Sequence, residues 1–371
     1  MKRIKLAFLT LFLLFNFLPQ ASADKSVIYL VSKPHQLFDG TFKDDQLATD
    51  LLSSGDLGKA IEQSRSGPRT WVIDGELLDE VADMADGYKL ENGAPPIGVL
   101  IAKEWLSRLQ LVTSGDQIIA LPYGNPDIAL AKRAAPSELR FYYSYGSQRV
   151  SFHLNRQMSA ENGATWSTGS SKLSAPLRKK YTANRQVLTA LSSVVSASEV
   201  QAQRAKLAIL LSPSLNKDER QLFSYNASEA VAASLNKLRI TSGKYQIASE
   251  TGKVPVTVIN RFSVPVDITI KFMPLNSRLQ VSNIATLQIP ANSRTQLAMP
   301  FSVIAPGATT VVAQITNSKG DRIGLPAKLD INIAIFDSKV TSFTIGAAVL
   351  LFVAALTQTI RRVRRGRKEK Q

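Results

Sequence analysis

Short β-branched runs alternating with helical patterns, then evenly spaced strand patterns, and finally an uncharged run before a basic tail together predict the fold class of this chain. It is expected to be an α/β N-terminal domain, partial barrel-like or an open sheet, followed by a C-terminal immunoglobulin-like β-sandwich and one transmembrane helix.

The elements follow in order. Lys2, Arg3 and Lys5 precede an apolar stretch over residues 6–18, and Pro19 with Ala21-Ser22-Ala23 then supplies a breaker and a small-residue cleavage site, which predicts a signal peptide over 1–23. Residues 24–136 form the expected α/β domain. Its strands are residues 26–31 (SVIYLV), 69–74 (RTWVID) and 117–123 (QIIALPY), short and rich in Val and Ile as buried parallel strands are. Between them, residues 44–63 predict two short helices, 76–84 a third and 102–111 a fourth. Residues 137–241 complete this domain. There the alternation of Leu139, Phe141, Tyr143 and Tyr145 predicts a hairpin over 137–154 with Gly146 near its turn, a Ser/Gly-rich loop follows at 158–172, and helices run from Thr182 to Leu238. From 242 to 338 about eight short strands separated by turn signals such as Asn276-Ser277 and Pro306-Gly307 predict the sandwich.

The run over 340–360 is uncharged and long enough to be expected to span ~30 Å of hydrocarbon. Its outer flank is nearly neutral, whereas 361–371 carries Arg361, Arg362, Arg364, Arg365, Arg367 and Lys368. The expected topology is therefore a single-pass protein of the cell membrane, bulk outside and tail inside. The tail reads as a membrane anchor, with no nucleic acid expected as partner. Of the formal charge of +16, the N-terminal and C-terminal basic clusters supply more than half, which leaves a modest positive balance on the rest of the chain. There is no cysteine, which excludes thiol catalysis, iron–sulfur centres and disulfide staples, so stability rests on buried apolar surface.

The segments TWVIDGELLDEVADMADGY, LPYGNPDIAL and VPVTVINRFSVPVDITIKFMPLNSRLQV, with the terminal run and basic tail, resemble a family of uncharacterised actinobacterial membrane-anchored surface proteins. Members of that family are often encoded beside the lipid II flippase, and this chain looks like a shortened member. The resemblance implies an envelope location and a link to wall assembly, and it implies no established activity.

Candidate chemistry is sparse. Asp74 and Asp127 sit at strand ends, where sugar-cleaving enzymes place an acid and a base; the competing reading is that each opens a helix. Tyr142, Tyr143 and Tyr145, flanked by Arg140 and Arg149, are candidates for stacking on a glycan. Only His35 and His153 could add imidazole, and their spacing fits no metal-binding motif, so neither a metal nor a cofactor is expected. The function expected is an envelope protein that presents a binding or scaffold domain linked to cell-wall assembly. Its expected partners are the lipid bilayer, a cell-wall glycan or an envelope membrane protein, and the alternative is a glycan-active hydrolase or a degenerate glycosidase-like barrel.

Overall fold

The computed structural model describes residues 26–62, 69–158, 169–334 and 338–368. The expected signal peptide over 1–23 lies outside the described residues. The chain divides into two compact units, one of Met1–Leu188 with Gln201–Val231 and one of Thr189–Val200 with Ala232–Gln371.

In the first unit three strands, β1 (Ser26–Leu30), β2 (Arg69–Ile73) and β3 (Gln117–Ala120), pair in parallel in the order β1-β2-β3. Helices connect them: α1 (Gln46–Leu51), α2 (Asp56–Glu62), α3 (Gly75–Asp86) and α4 (Val99–Val112). Trp71, Ile73, Leu78, Val81, Met84 and Trp105 form one continuous core between strands and helices. Beyond β3 come α5 (Ile128–Ala134), α6 (Pro136–Leu154), α7 (Ala175–Ser192) and α8 (Ser198–Lys206), then a 3-10 turn over Leu207–Leu211 and α9 (Lys217–Lys237). The apolar turn Leu207–Leu211 is buried among Tyr142, Tyr181, Leu188 and Phe223 and centres a second core.

The expected hairpin over 137–154 is instead the single helix α6. Its buried residues include Leu139, Tyr142, Gly146, Val150 and Leu154, spaced by three and four, with Pro136 at the helix start, where its missing N–H costs nothing. The alternating aromatic residues that suggested a strand are half-buried flank positions of that helix.

In the second unit, strands β4 (Leu238–Ile240), β6 (Thr251–Asn260), β10 (Ser293–Val303) and β8 (Leu279–Val281) make one sheet in that order. Strands β5 (Gly243–Ile247), β12 (Arg322–Ile333), β11 (Gly307–Thr316), β7 (Val266–Pro274) and β9 (Ile284–Ile289) make another. Val256, Val258, Ile268, Ile270, Val311, Leu329 and Ile331 fill the core of the unit. The fully buried Asn260 ties the turns together: its Nδ2 donates to the carbonyls of Val264 at 3.0 Å and Pro290 at 2.8 Å, while its Oδ1 accepts from Phe262 N at 2.9 Å.

The expected fold class is corrected here. The described chain is largely helical up to Lys237 and then mostly β, in two sheets curled as half-barrels, with β5 joined to β12 in parallel at a sheet edge. Among the described residues no helix is long and apolar enough to cross a membrane. That overturns the expected transmembrane helix over 340–360 and the single-pass cell-membrane placement derived from it. The backbone is helical over Ser338–Lys368 (α10), but its continuous apolar core runs only from Ile345 to Leu356. That core is about 18 Å of helix at 1.5 Å per residue, well short of the ~30 Å of a hydrocarbon layer. Past it, the hydroxyls of Thr357 and Thr359 donate back to the carbonyls of Val353 and Ala355 at 2.8 Å each. Arg361 is exposed, and Arg362, Arg364, Arg365, Arg367 and Lys368 continue the helical backbone.

Candidate functional site: a basic cleft beside a buried carboxylate network

Asp74 follows β2 and caps α3. Its Oδ1 accepts from Glu76 N at 3.0 Å and from Gly124 N at 2.9 Å, so the carboxylate ties the start of α3 to the loop after β3. It is 2 % exposed. Burial is the main force on its proton and raises its pKa to about 7; the two N–H bonds oppose that rise, and the nearby Glu80 and Asp79 add to it. Glu76 and Glu80, one turn apart on α3, are also buried. Glu76 is pushed well above the ordinary glutamate range, first by burial and then by Glu80, with Lys206 pulling the other way. Glu80 accepts from the backbone of His35 at 3.0 Å and Gln36 at 2.7 Å.

Asp79, on another side of α3, accepts from Arg149 Nε at 2.7 Å and from the Tyr123 hydroxyl at 2.9 Å, and it lies 2.7 Å from His153 Nε2. With its pKa raised to about 7, Asp74 holds its proton through most of the acid range. Among the described residues no group of three or more His, Asp or Glu side chains is placed to hold a metal ion.

Asp127 has a different task. Its Oδ1 accepts from Leu130 N at 3.1 Å and caps α5; its Oδ2 accepts from Ser171 N at 2.7 Å. Ser171 Oγ in turn donates to the carbonyl of Leu211 at 2.9 Å, and Asp127 N donates to that same carbonyl at 3.0 Å. The structure therefore places Asp74 and Asp127 in separate helix caps, and neither lines a cavity described below.

The tyrosine platform is not assembled either. At 100° per residue a helix sends Tyr142, Tyr143 and Tyr145 in different directions. Tyr142 is 0 % exposed, its hydroxyl 2.9 Å from that of Tyr181. Tyr145 packs edge-on against Tyr123, with ring centroids 5.0 Å apart, and Tyr143 is half-buried.

What Asp127 does position is the wall of a basic cleft. The segment held through Ser171 continues into Lys172 and α7, and it faces the start of α9 across a cavity of about 690 Å³ lined by Lys172, Lys180, Lys217 and Arg220 together with serines and prolines. A neighbouring cavity of about 250 Å³ shares Lys172 and adds Arg133 and Arg178. Among the described residues no acid lines either one.

Arg220 is 6 % exposed. Its guanidinium donates to the carbonyls of Leu210, Ser212 (2.9 Å) and Leu215 (2.8 Å), and among the described residues it makes no ion pair. Burial lowers its pKa from the ordinary arginine value, which is so high that the side chain stays charged. Asn216 caps α9 by accepting from Asp218 N (3.0 Å) and Glu219 N (2.9 Å), while Glu219 accepts back from Asn216 N at 3.1 Å, a capping box that fixes Lys217 at the positive end of the helix.

These cations escaped the sequence reading, which looked for acids and aromatics. A signal was present: between Glu161 and Glu199 the chain carries Lys172, Arg178, Lys179, Lys180 and Arg185 and no acid.

Comparison with known proteins assigns no activity. No curated protein matches the chain. Among solved structures, WR4, a C. elegans MSP family member, is 12% identical over 26% of this chain and 98% of its own, with a TM-score of 0.20. The native E. coli alpha-2-macroglobulin is 13% identical over 26% of this chain and 6% of its own, with a TM-score of 0.21. PapD-like domain 7 of human CEP192 is 12% identical over 27% of this chain and 87% of its own, with a TM-score of 0.21. Likeness at this level carries no argument about function and does not support an immunoglobulin-like class. Residues 147–368, more than half of the chain, match the Family of unknown function (DUF6049), and the chain belongs to that family.

Proposed function

We propose that this protein is a non-catalytic binding or scaffold protein linked to cell-wall assembly, and that its ligand is an anionic wall glycopolymer held in the basic cleft. The observation that supports this most is Arg220, a buried guanidinium with carbonyl partners and, among the described residues, no carboxylate partner, beside Lys172, Lys180 and Lys217 at a cavity that no described acid lines. A positive field with low-dielectric walls attracts and concentrates anions. The cavity volume falls in the range of about 300 to 1,000 Å³ typical of ligand sites. The resemblance of the sequence to actinobacterial proteins encoded beside the lipid II flippase supports a wall polymer over other polyanions.

The test is retention of the full chain on a purified phosphate-bearing wall polysaccharide, on the same polymer after phosphate removal, and on peptidoglycan. We expect retention on the charged polymer, at least ~10-fold weaker when Lys172, Lys180 and Lys217 are all replaced by alanine, and falling steeply as salt screens the field. Equal retention of the variant, or equal retention on both forms of the polymer, would sink the proposal. Released sugar is assayed in the same tubes; release that disappears in Asp74→Asn, Asp127→Asn protein would replace binding with catalysis.

A further inference from the structure

The basic cleft and the smaller cavity beside it lie on different flanks of one helix start. Pro176, Leu177 and Lys180 of α7 line the cleft of about 690 Å³, whereas Arg178 lines the cavity of about 250 Å³. Residues two apart on a helix are turned by about 200°, so Lys180 and Arg178 leave α7 in nearly opposite directions. Lys172, just ahead of the helix, lines both cavities and joins them.

Each cavity therefore has cations of its own. Lys180 shares the cleft with Lys217 and Arg220 of α9. Arg220 donates three hydrogen bonds to carbonyls, and a guanidinium has five N–H groups, which leaves two uncommitted. Arg178 shares the smaller cavity with Arg133, in the last turn of α5, and with the apolar Leu130, Ala134 and Leu173. Elsewhere on the neighbouring helices charges are paired: Glu219 of α9 accepts from Lys33 at 3.3 Å and Lys43 at 3.1 Å, and Glu138 of α6 accepts from Arg204 at 2.7 Å. Among the described residues, none of Arg133, Lys172, Arg178, Lys180 and Lys217 forms an ion pair. Like charges gathered without a counter-charge repel, and a bound anion relieves that repulsion.

We infer that the site has two lobes and holds two successive anionic groups of one polymer strand, one on each flank of the start of α7, with Lys172 between them. The inference rests on the reading of the cleft as a glycopolymer site and adds the number of charged repeats it grips. A single anionic group leaves one lobe uncompensated, while a strand passing the helix start fills both. Once the first group is seated, the second binds from an effective concentration in the millimolar range, so affinity rises with the second repeat.

The test titrates the full chain with glycerol 3-phosphate and with its phosphodiester-linked dimer, which carries two phosphates, and follows both by calorimetry beside the polymer retention experiment. The dimer is expected to bind at least ~10-fold tighter than the monomer. Arg133→Ala, Arg178→Ala protein should lose that advantage, and so should Lys180→Ala, Lys217→Ala protein, because either pair leaves only one lobe. Retention of the polymer with equal binding of the two probes would overturn the inference alone and leave a single anion site. A dimer advantage that survives either pair of substitutions would overturn it as well, assigning the gain to net charge. If neither the probes nor the charged polymer bind, the reading of the cleft falls, and the inference falls with it.

Discussion

Gly146→Ala is expected to destabilise the first unit by about 3–5 kcal/mol, although alanine is the better helix former by roughly 1 kcal/mol. A Cβ at this position in α6 would lie 2.2 Å from the carbonyl oxygen of Leu121 and 2.8 Å from the amide of Tyr123. Both atoms are backbone, and the loop they belong to is held in place: Tyr123 N donates to Tyr142 O at 2.9 Å, and the next residue, Gly124, donates to Asp74. No side chain can rotate away to relieve the clash, so α6 must lift off the end of β3 or the loop must break its bonds. Gln148→Ala, exposed on the same helix, should be close to neutral. Urea unfolding followed through Trp71 and Trp105, both in the core beside the sheet, measures the difference. A loss under about 1 kcal/mol for Gly146→Ala would mean that the loop gives way to the added methyl at little cost.

Asp74→Asn is expected to stabilise the protein above pH 7 and to flatten its pH dependence. An acid whose pKa is higher in the folded than in the unfolded chain keeps its proton in the native state across the interval between the two values. Folding stability then falls as pH rises through that interval and stays reduced above it. For Asp74 the interval runs from the ordinary aspartate range to about 7, and the reduction is of order 4 kcal/mol at roughly 1.36 kcal/mol per pKa unit. Glu76, raised in the same direction, deepens the loss. The amide oxygen introduced by the substitution would still accept from Glu76 N and Gly124 N, so the cap survives while the ionisation is removed.

The opposite trend belongs to Asp44, Asp39 and Glu219, whose pKa values are lowered against the opposing pull of burial by hydrogen bonds and, at Asp44 and Glu219, by neighbouring cationic or basic groups as well. Their stabilisation is present above the ordinary carboxylate range and is lost as pH falls below it. The two effects occupy separate windows, and chemical denaturation between about pH 4 and 8 isolates the first. An unchanged slope in the Asp74→Asn protein would assign the pH dependence to other groups.

The parallel strands were legible because each is a short apolar run, and SVIYL, RTWVI and QIIA read as strands whatever their neighbours. The helix caps of Asp74 and Asp127 were legible for a local reason too: a carboxylate just before a helical pattern satisfies its free N–H groups. Helix α6 was not legible. Its buried positions include a glycine and a tyrosine, so the apolar stripe is thin, and the alternation on its flank was the louder signal. Strand β4 was hidden because no Gly or Pro separates Lys237 from Leu238 where α9 gives way to it. The basic cleft depends on pairing residue 127 with 171 and 171 with 211, contacts about 40 residues apart that no local pattern encodes. The terminal run misled because an uncharged stretch was counted as an apolar one, although Thr and Ser occupy much of its start and Thr and Gln its end.

The division of the chain has a consequence for the order in which the protein can form. The first unit needs Gln201–Val231, yet Thr189–Val200 belongs to the second, so the backbone passes between the two units three times. A chain emerging from the ribosome as far as residue 188 still lacks Leu207, Ile209, Leu211 and Phe223, all buried in the core around Tyr142 and Tyr181. At that stage the sheet and its helices can gather, but the core around Tyr142 and Leu188 is only half built, with Tyr181 and Leu139 present and Leu207–Leu211 and Phe223 missing. Closure of the first unit waits for residue 231, by which time part of the second has already been made. A nascent fragment halted at 188 should therefore remain sensitive to protease near α6 and α7, and one halted beyond 231 should resist it.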